Sequence, residues 1–134
     1  MNLGLAGRVA LVAAGSKGLG RAIAEELAAE GMSLVICARN NDVLQEAAEA
    51  IRASTGAEVL ALSGDVSKPE DVDRITKAAF DRFGAVDVLV TNAGGPPSGK
   101  FESLTDEMWR GAVDLTLMSV INLTAAVLPR MKEK

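Results

Sequence analysis

The sequence predicts an α/β fold: a doubly wound parallel sheet of four strands alternating with four helices, in a single domain spanning all 134 residues. Three observations predict it. Four short runs rich in Val, Leu and Ile do not alternate with polar residues, which is the pattern of strands buried on both faces. Between these runs, apolar residues recur at helical spacing. Gly31, Gly56 and Gly84 each follow one of the first three such segments, where a helix end accepts a left-handed residue. Alternation of this kind, with right-handed crossovers, places helices on both faces of the sheet.

RVALVAA (8–14) opens as the first strand and leads into a helix whose apolar side is Leu19, Ile23 and Leu27. SLVICA (33–38) is the second strand, followed by a helix carrying Leu44, Ala47 and Ile51. EVLALS (58–63) is the third. Ser67, with Glu70 three residues on, forms a capping-box pattern at the start of the third helix, which carries Val72, Ile75, Ala79 and Phe83. VDVLVT (86–91) is the fourth strand; as an edge it would be exposed and apolar, which natural sheets avoid, so either a longer chain or another element is expected to cover it. From Thr105 to Met131 the chain reads as one long helix with Trp109, Val113, Leu117 and Val120 on neighbouring turns, its end frayed by Pro129. Leu115, Met118, Ile121 and Leu123 surround that stripe, so more than one face of the helix needs cover.

Composition narrows the partners. With 49% hydrophobic and 24% charged residues the chain suits a globular domain with a core. Its net charge of −4, with 14 scattered basic residues, speaks against nucleic acid or an anionic membrane surface. No apolar run is read as long enough to span a bilayer, and no N-terminal stretch reads as a secretory signal, so a cytoplasmic protein is expected. Cys37, the single cysteine, lies in an apolar strand and reads as a small buried hydrophobe. No metal site is expected.

The chemistry-bearing stretch is AAGSKGLG (13–20), where the first strand turns into the first helix. Three glycines there leave backbone N–H groups uncovered at the positive end of the helix dipole, an anion site suited to phosphate. Gly15, Gly18 and Gly20 are spaced three then two, unlike G-x-G-x-x-G. The stretch is not a P-loop either, because Lys17 follows Ser16 and precedes Gly18.

This spacing, with three later motifs, resembles the short-chain dehydrogenase/reductase family, whose loop is commonly T-G-x-x-x-G-x-G. Ala13 and Ala14 stand at the family's Thr and first Gly, and Gly18 and Gly20 match the last two glycines. Ala14 adds a Cβ, and the adjacent Gly15 is expected to restore the flexibility the turn needs. Asp65-Val66 occupies the place of the acidic residue that contacts the adenine ring, and Thr91-Asn92-Ala93-Gly94 answers the family's N-N-A-G. The resemblance spans the whole chain. It implies a Rossmann-like fold, incomplete relative to the full family fold. It also implies a dinucleotide site built from Ala14, Gly15, Ser16, Lys17, Gly18, Leu19 and Gly20, with Arg39, Asp65, Val66, Asn92, Ala93 and Gly94.

Cofactor choice turns on the end of the second strand, where an acidic side chain would bind the ribose 2′-hydroxyl of NAD. Here the residue is Arg39. A guanidinium pairs with a 2′-phosphate through charge-assisted hydrogen bonds, and Lys17 offers a second cation, so NADP is favoured over NAD although Asp42 slightly weakens the field.

Family members move a hydride between the nicotinamide and a carbonyl or alcohol substrate, using a tyrosine and lysine in Y-x-x-x-K and a serine. This chain contains no tyrosine and no histidine. The resemblance therefore implies an oxidoreductase whose 134-residue segment holds the cofactor and does not turn over alone. Alignment on Trp109 places Thr116 where many members have a catalytic asparagine. Its hydroxyl can hold a water or bond the backbone one turn back.

GGPPSGKF (94–101) is expected to border the substrate cleft. By resemblance to 3-oxoacyl-[acyl-carrier-protein] reductases the lead substrate is a 3-oxoacyl thioester, while sugar alcohols, steroids and small ketones also fit. A non-catalytic module that senses NADP is the rival reading. The long fourth helix commonly packs in a dimer interface of the family, which implies a homo-oligomer.

Overall fold

A computed structural model describes all 134 residues. Its sheet is parallel throughout, in the order β3-β2-β1-β4. β1 (Val9–Ala13) and β2 (Ser33–Ala38) form the centre, β3 (Val59–Ser63) lies outside β2, and β4 (Val88–Val90) lies outside β1.

Strand side chains point alternately to two faces, and both faces are covered. Ala10, Val12, Leu34 and Ile36 pack with Ala24 and Ala28 of α1 (Gly18–Ala29) and with Leu44, Ala48 and Ile51 of α2 (Asn41–Thr55). Leu11, Ala13, Val35 and Cys37 pack on the other face, with Val72, Ile75 and Ala79 of α3 (Pro69–Phe83) and Leu123 and Val127 of α5 (Ser119–Lys132). This is why β1 and β2 show no polar alternation. Each fully buried Leu, Ile or Val contributes about 1.5–3 kcal/mol by leaving water.

From β1 the chain moves outward through β2 and β3, then crosses back to place β4 on the other side of β1. The β1–β4 boundary is therefore a switch point, and it opens a crevice above the strands' carboxyl ends. β4 is pinned there by Asp87: its N–H donates to the Val9 carbonyl at 2.8 Å, and its carboxylate accepts the Val9 N–H at 2.9 Å. VDVLVT shrinks to three paired residues, half-buried and bonded on one side only, as the outer strand of the sheet.

Gly56 and Gly84 end their helices with φ near +75°. Gly31, at φ +90°, follows the last residues of α1. Asn40 caps α2 by accepting the Val43 N–H. The capping box assigned to Ser67 and Glu70 does not form. Pro69, whose fixed φ suits the first helical turn, moves the cap to Lys68, and the Ser67 hydroxyl is already given to Asp65.

The last helix also departs from expectation. It runs unbroken from Asp106 to Lys132 as α4 (Asp106–Val113), a π-helical turn over Asp114–Met118, and α5, and Pro129 sits inside it without ending it. The π turn rotates the second half relative to the first. The stripe on the sheet is Ser119, Leu123 and Val127, while Trp109, Val113 and Leu117 face outward. At 27 residues, with a mean hydropathy of 1.7 in its most apolar window, the helix is long and apolar enough by composition to cross a bilayer. Scanning for uninterrupted apolar runs missed this, because Asp114, Thr116, Ser119, Asn122 and Thr124 break them up.

Candidate functional site

The crevice at the switch point is a cleft of about 400 Å³, walled by the glycine loop, the end of β2, the turn after β3 and the segment leaving β4. These four segments are consecutive along the carboxyl edge of a parallel sheet, which is why residues from 14 to 94 meet there, joined by Leu115 from the last helix.

The glycine loop is shaped by contacts that exclude side chains. A Cβ on Gly20 would fall on the Ala14 carbonyl oxygen and lie 2.8 Å from Asn92 Nδ2. A Cβ on Gly15 would lie 3.1 Å from Ile36 Cβ, and the Gly15 N–H donates to the Cys37 carbonyl, which binds the loop to β2. Gly18 has φ +58° and open space around it. Ala14 rather than Gly15 takes the remaining left-handed position, at φ +53°, and it is the one non-glycine residue to do so. The flexibility expected of Gly15 is thus not used; Ala14 carries the strain itself.

For an L-residue that conformation costs about 1–2 kcal/mol, part of which glycine would return as unfolded-state entropy. Ala14→Gly should therefore stabilise the chain by about 0.5–1 kcal/mol, a rise of roughly 2–5 °C in the thermal midpoint. A midpoint that falls would show that the methyl's contacts outweigh the strain.

The N-terminus of α1 is left free to receive an anion. Lys17 precedes the helix in extended conformation, and no side chain caps it. The first helical bond joins the Arg21 N–H to the Lys17 carbonyl, so Gly18, Leu19 and Gly20 have N–H groups without helical partners. Lys17 and Arg39 both line the cleft, both are exposed, and neither forms an ion pair.

On the third wall, the Asp65 carboxylate accepts the Ser67 N–H at 2.9 Å and the Ser67 hydroxyl at 2.6 Å. Partial burial by itself would raise this carboxyl, but the Ser67 bonds, helped by the Arg39 and Lys68 charges, hold it below the usual aspartate range. Asp65 is therefore ionised and faces a cleft with two unpaired cations. Cys37 lies at the inner end of the cleft with its thiol neutral. Burial pushes it up to about 11, against the smaller pull of the Ala14 N–H and Arg74.

Of the residues singled out in the sequence, Ala14, Ser16, Lys17, Gly18, Leu19, Arg39, Asp65, Val66, Asn92, Ala93 and Gly94 all line the cleft. Gly15 and Gly20 lie behind it, where they let the loop close on β2 and Asn92. Thr116 is not brought in: it is exposed, and its hydroxyl donates to the Ala112 carbonyl at 2.6 Å, the one-turn-back bond that was its other reading. Of GGPPSGKF only Gly94 reaches the cleft.

Sequence reasoning missed Cys37, Ala38, Asn40, Gly64 and Leu115 as cleft residues. Gly64 had a readable signal as the glycine directly before Asp65, and Asn40 as the helix cap directly after Arg39. Leu115 had none, because the π turn that directs it leaves no mark on apolar spacing.

The comparisons with known proteins agree with this geometry. Residues 8–134 match the family model described as short chain dehydrogenase. An uncharacterised oxidoreductase of Listeria innocua is 35% identical over 122 residues, covering 91% of this chain and 49% of its own length. A Streptomyces coelicolor protein named as a ketoacyl reductase is 36% identical over 120 residues, covering 90% of this chain and 46% of its own. Among solved structures, the L-sorbose reductase of Gluconobacter frateurii, complexed with NADPH and L-sorbose, superposes with a TM-score of 0.96 at 36% identity, over 99% of this chain and 51% of that one. The chain thus spans about half the length of the relatives it matches. A glycine loop closing on Asn92, a parallel sheet split at β1 and β4, and a family match over nearly every residue place this chain in the short-chain dehydrogenase family.

Proposed function

We propose that the chain is the cofactor-binding half of an NADP-dependent short-chain oxidoreductase. The observation that carries this reading is the pair of unpaired cations, Lys17 and Arg39, beside an uncapped helix N-terminus. The cradle fits a dinucleotide. The free N–H groups of α1 would hold the pyrophosphate, and Lys17 and Arg39 the ribose 2′-phosphate. Asp65 would border the adenine, with Val66 beside it, and Asn92, Ala93 and Gly94 would form the wall leaving β4. NADPH supplies a hydride when bound. The 134 residues hold no tyrosine or histidine, so their part is to bind and orient.

For the whole protein the substrate is a small carbonyl or alcohol compound, and a 3-oxoacyl thioester leads because of the relative named as a ketoacyl reductase. The resemblance to a sorbose reductase supports a sugar ketone as the second reading. The outward row of Trp109, Val113, Leu117 and Ile121 suits a homo-oligomer formed through the last helix.

A thermal melt tests the cofactor. At a concentration a hundredfold above its Kd, NADP+ stabilises the folded state by about 2.7 kcal/mol, and it should raise the midpoint well beyond what the same concentration of NAD+ does. Equal midpoints with and without NADP+ would refute the proposal. NADPH should bind without being consumed by these residues.

A further inference from the structure

We propose that Asp71, in the first turn of α3, is a positioning residue that holds the acidic wall of the cleft where it receives the adenosine end of the cofactor. The inference rests on the NADP reading and adds a residue that lies outside the cleft. Asp71 uses both carboxylate oxygens. Oδ2 accepts the Asp65 backbone N–H at 2.8 Å, and Oδ1 accepts from Arg74 Nη2 at 3.3 Å. Arg74 in turn donates to the Ser63 carbonyl at 2.7 Å, so the end of β3 and the residue after Gly64 are both tied to α3.

Space enforces the same arrangement. A Cβ on Gly64 would lie 2.8 Å from Ile75 Cδ1 and 2.9 Å from Arg74 Nη2, so the turn lies directly on the Asp71–Arg74 pair. The turn then reaches the second cation. The Gly64 N–H donates to the Ala38 carbonyl at 3.0 Å, and Arg39 is the next residue. Asp65 is thus fixed from two sides, its backbone by Asp71 and its carboxylate by Ser67. Both Ser67 bonds go to Oδ1 and leave Oδ2 with no protein partner. Loss of the Asp71 acceptor frees the Asp65 backbone, so the carboxylate no longer stands at a fixed place on the wall.

The test is calorimetric titration of the 134-residue chain with NADP+ and with adenosine 2′,5′-bisphosphate. Asp71→Ala should weaken both ligands about fivefold, whereas Asp71→Asn, which keeps an acceptor for the Asp65 N–H, should stay within about twofold of wild type. Asp65→Asn combined with Asp71→Ala should bind little worse than Asp65→Asn alone, since the two changes share one path. If Asp71→Ala does not fold, Arg74→Met, which removes the other anchor, is read in its place against the same fivefold expectation.

Asp71→Ala within twofold of wild type, losses that simply multiply in the double variant, or an Asn variant as weak as the Ala variant would each overturn the inference. Failure of the underlying reading has a different signature: the wild-type chain itself would bind neither ligand.

Discussion

Replacing Gly20 by alanine should abolish tight dinucleotide binding and cost the fold about 2–3 kcal/mol, the largest effect expected of any single methyl group in this protein. The reason is backbone rather than side chain. The added carbon falls on the Ala14 carbonyl oxygen, lies 2.8 Å from the carbonyl carbon, and meets Asn92 Nδ2 at the same distance. A flexible side chain could swing aside, but Ala14 is already in a strained conformation and has nowhere to retreat. The loop must lift from α1, and the free N–H groups lose their common aim. NADP+ affinity should fall by roughly a hundredfold, equivalent to about 2.7 kcal/mol. Chemical denaturation and titration measure the two losses separately. A Gly20→Ala chain that binds as tightly as wild type would show that the loop is not the cradle.

Replacing Arg39 by alanine should change which cofactor is bound rather than whether the chain folds. The side chain is exposed and makes no ion pair, so thermal stability without ligand should barely move. A hydrogen bond to a charged group contributes about 1.5–3 kcal/mol, so NADP+ should bind roughly 10- to 100-fold more weakly while NAD+ is nearly unaffected. Parallel titrations with the two nucleotides check this directly. Equal loss for both would locate Arg39 on the shared pyrophosphate or ribose and remove the basis for preferring the phosphorylated cofactor.

Much of the architecture could be read from the sequence because parallel strands and amphipathic helices advertise themselves by period. SLVICA is β2 to the residue, and Gly56 and Gly84 stand at left-handed helix ends. The cleft was legible for a related reason: the carboxyl ends of parallel strands gather there whatever the loops contain.

Failures occurred where a local rule met a stronger neighbour. Ser67 satisfies the capping pattern, yet Asp65 takes its hydroxyl and Pro69 starts the helix one residue later. Gly15 offers conformational freedom, but its place against Ile36 fixes it and transfers the left-handed turn to Ala14. In the last helix, apolar residues on nearly every side make the spacing ambiguous. The π turn then decides the phase, turning Trp109 outward and Leu123 inward. Thr116 and Ser119 back-bond to the carbonyls of Ala112 and Leu115 around that turn, an adjustment no periodic template contains.

The alternation along β1 sets a strict limit on how this protein can vary. Ala10 to Ala13 feed two separate sandwiches by turns, and the strand runs straight into the glycine loop. Exchanging one aliphatic residue for another disturbs one sandwich locally. Adding or removing a single residue would instead send every later side chain to the opposite half and rotate the loop by half a turn, emptying both interiors and misdirecting the cradle together. The opening strand is a ruler as much as a wall: its composition can drift, but its length cannot.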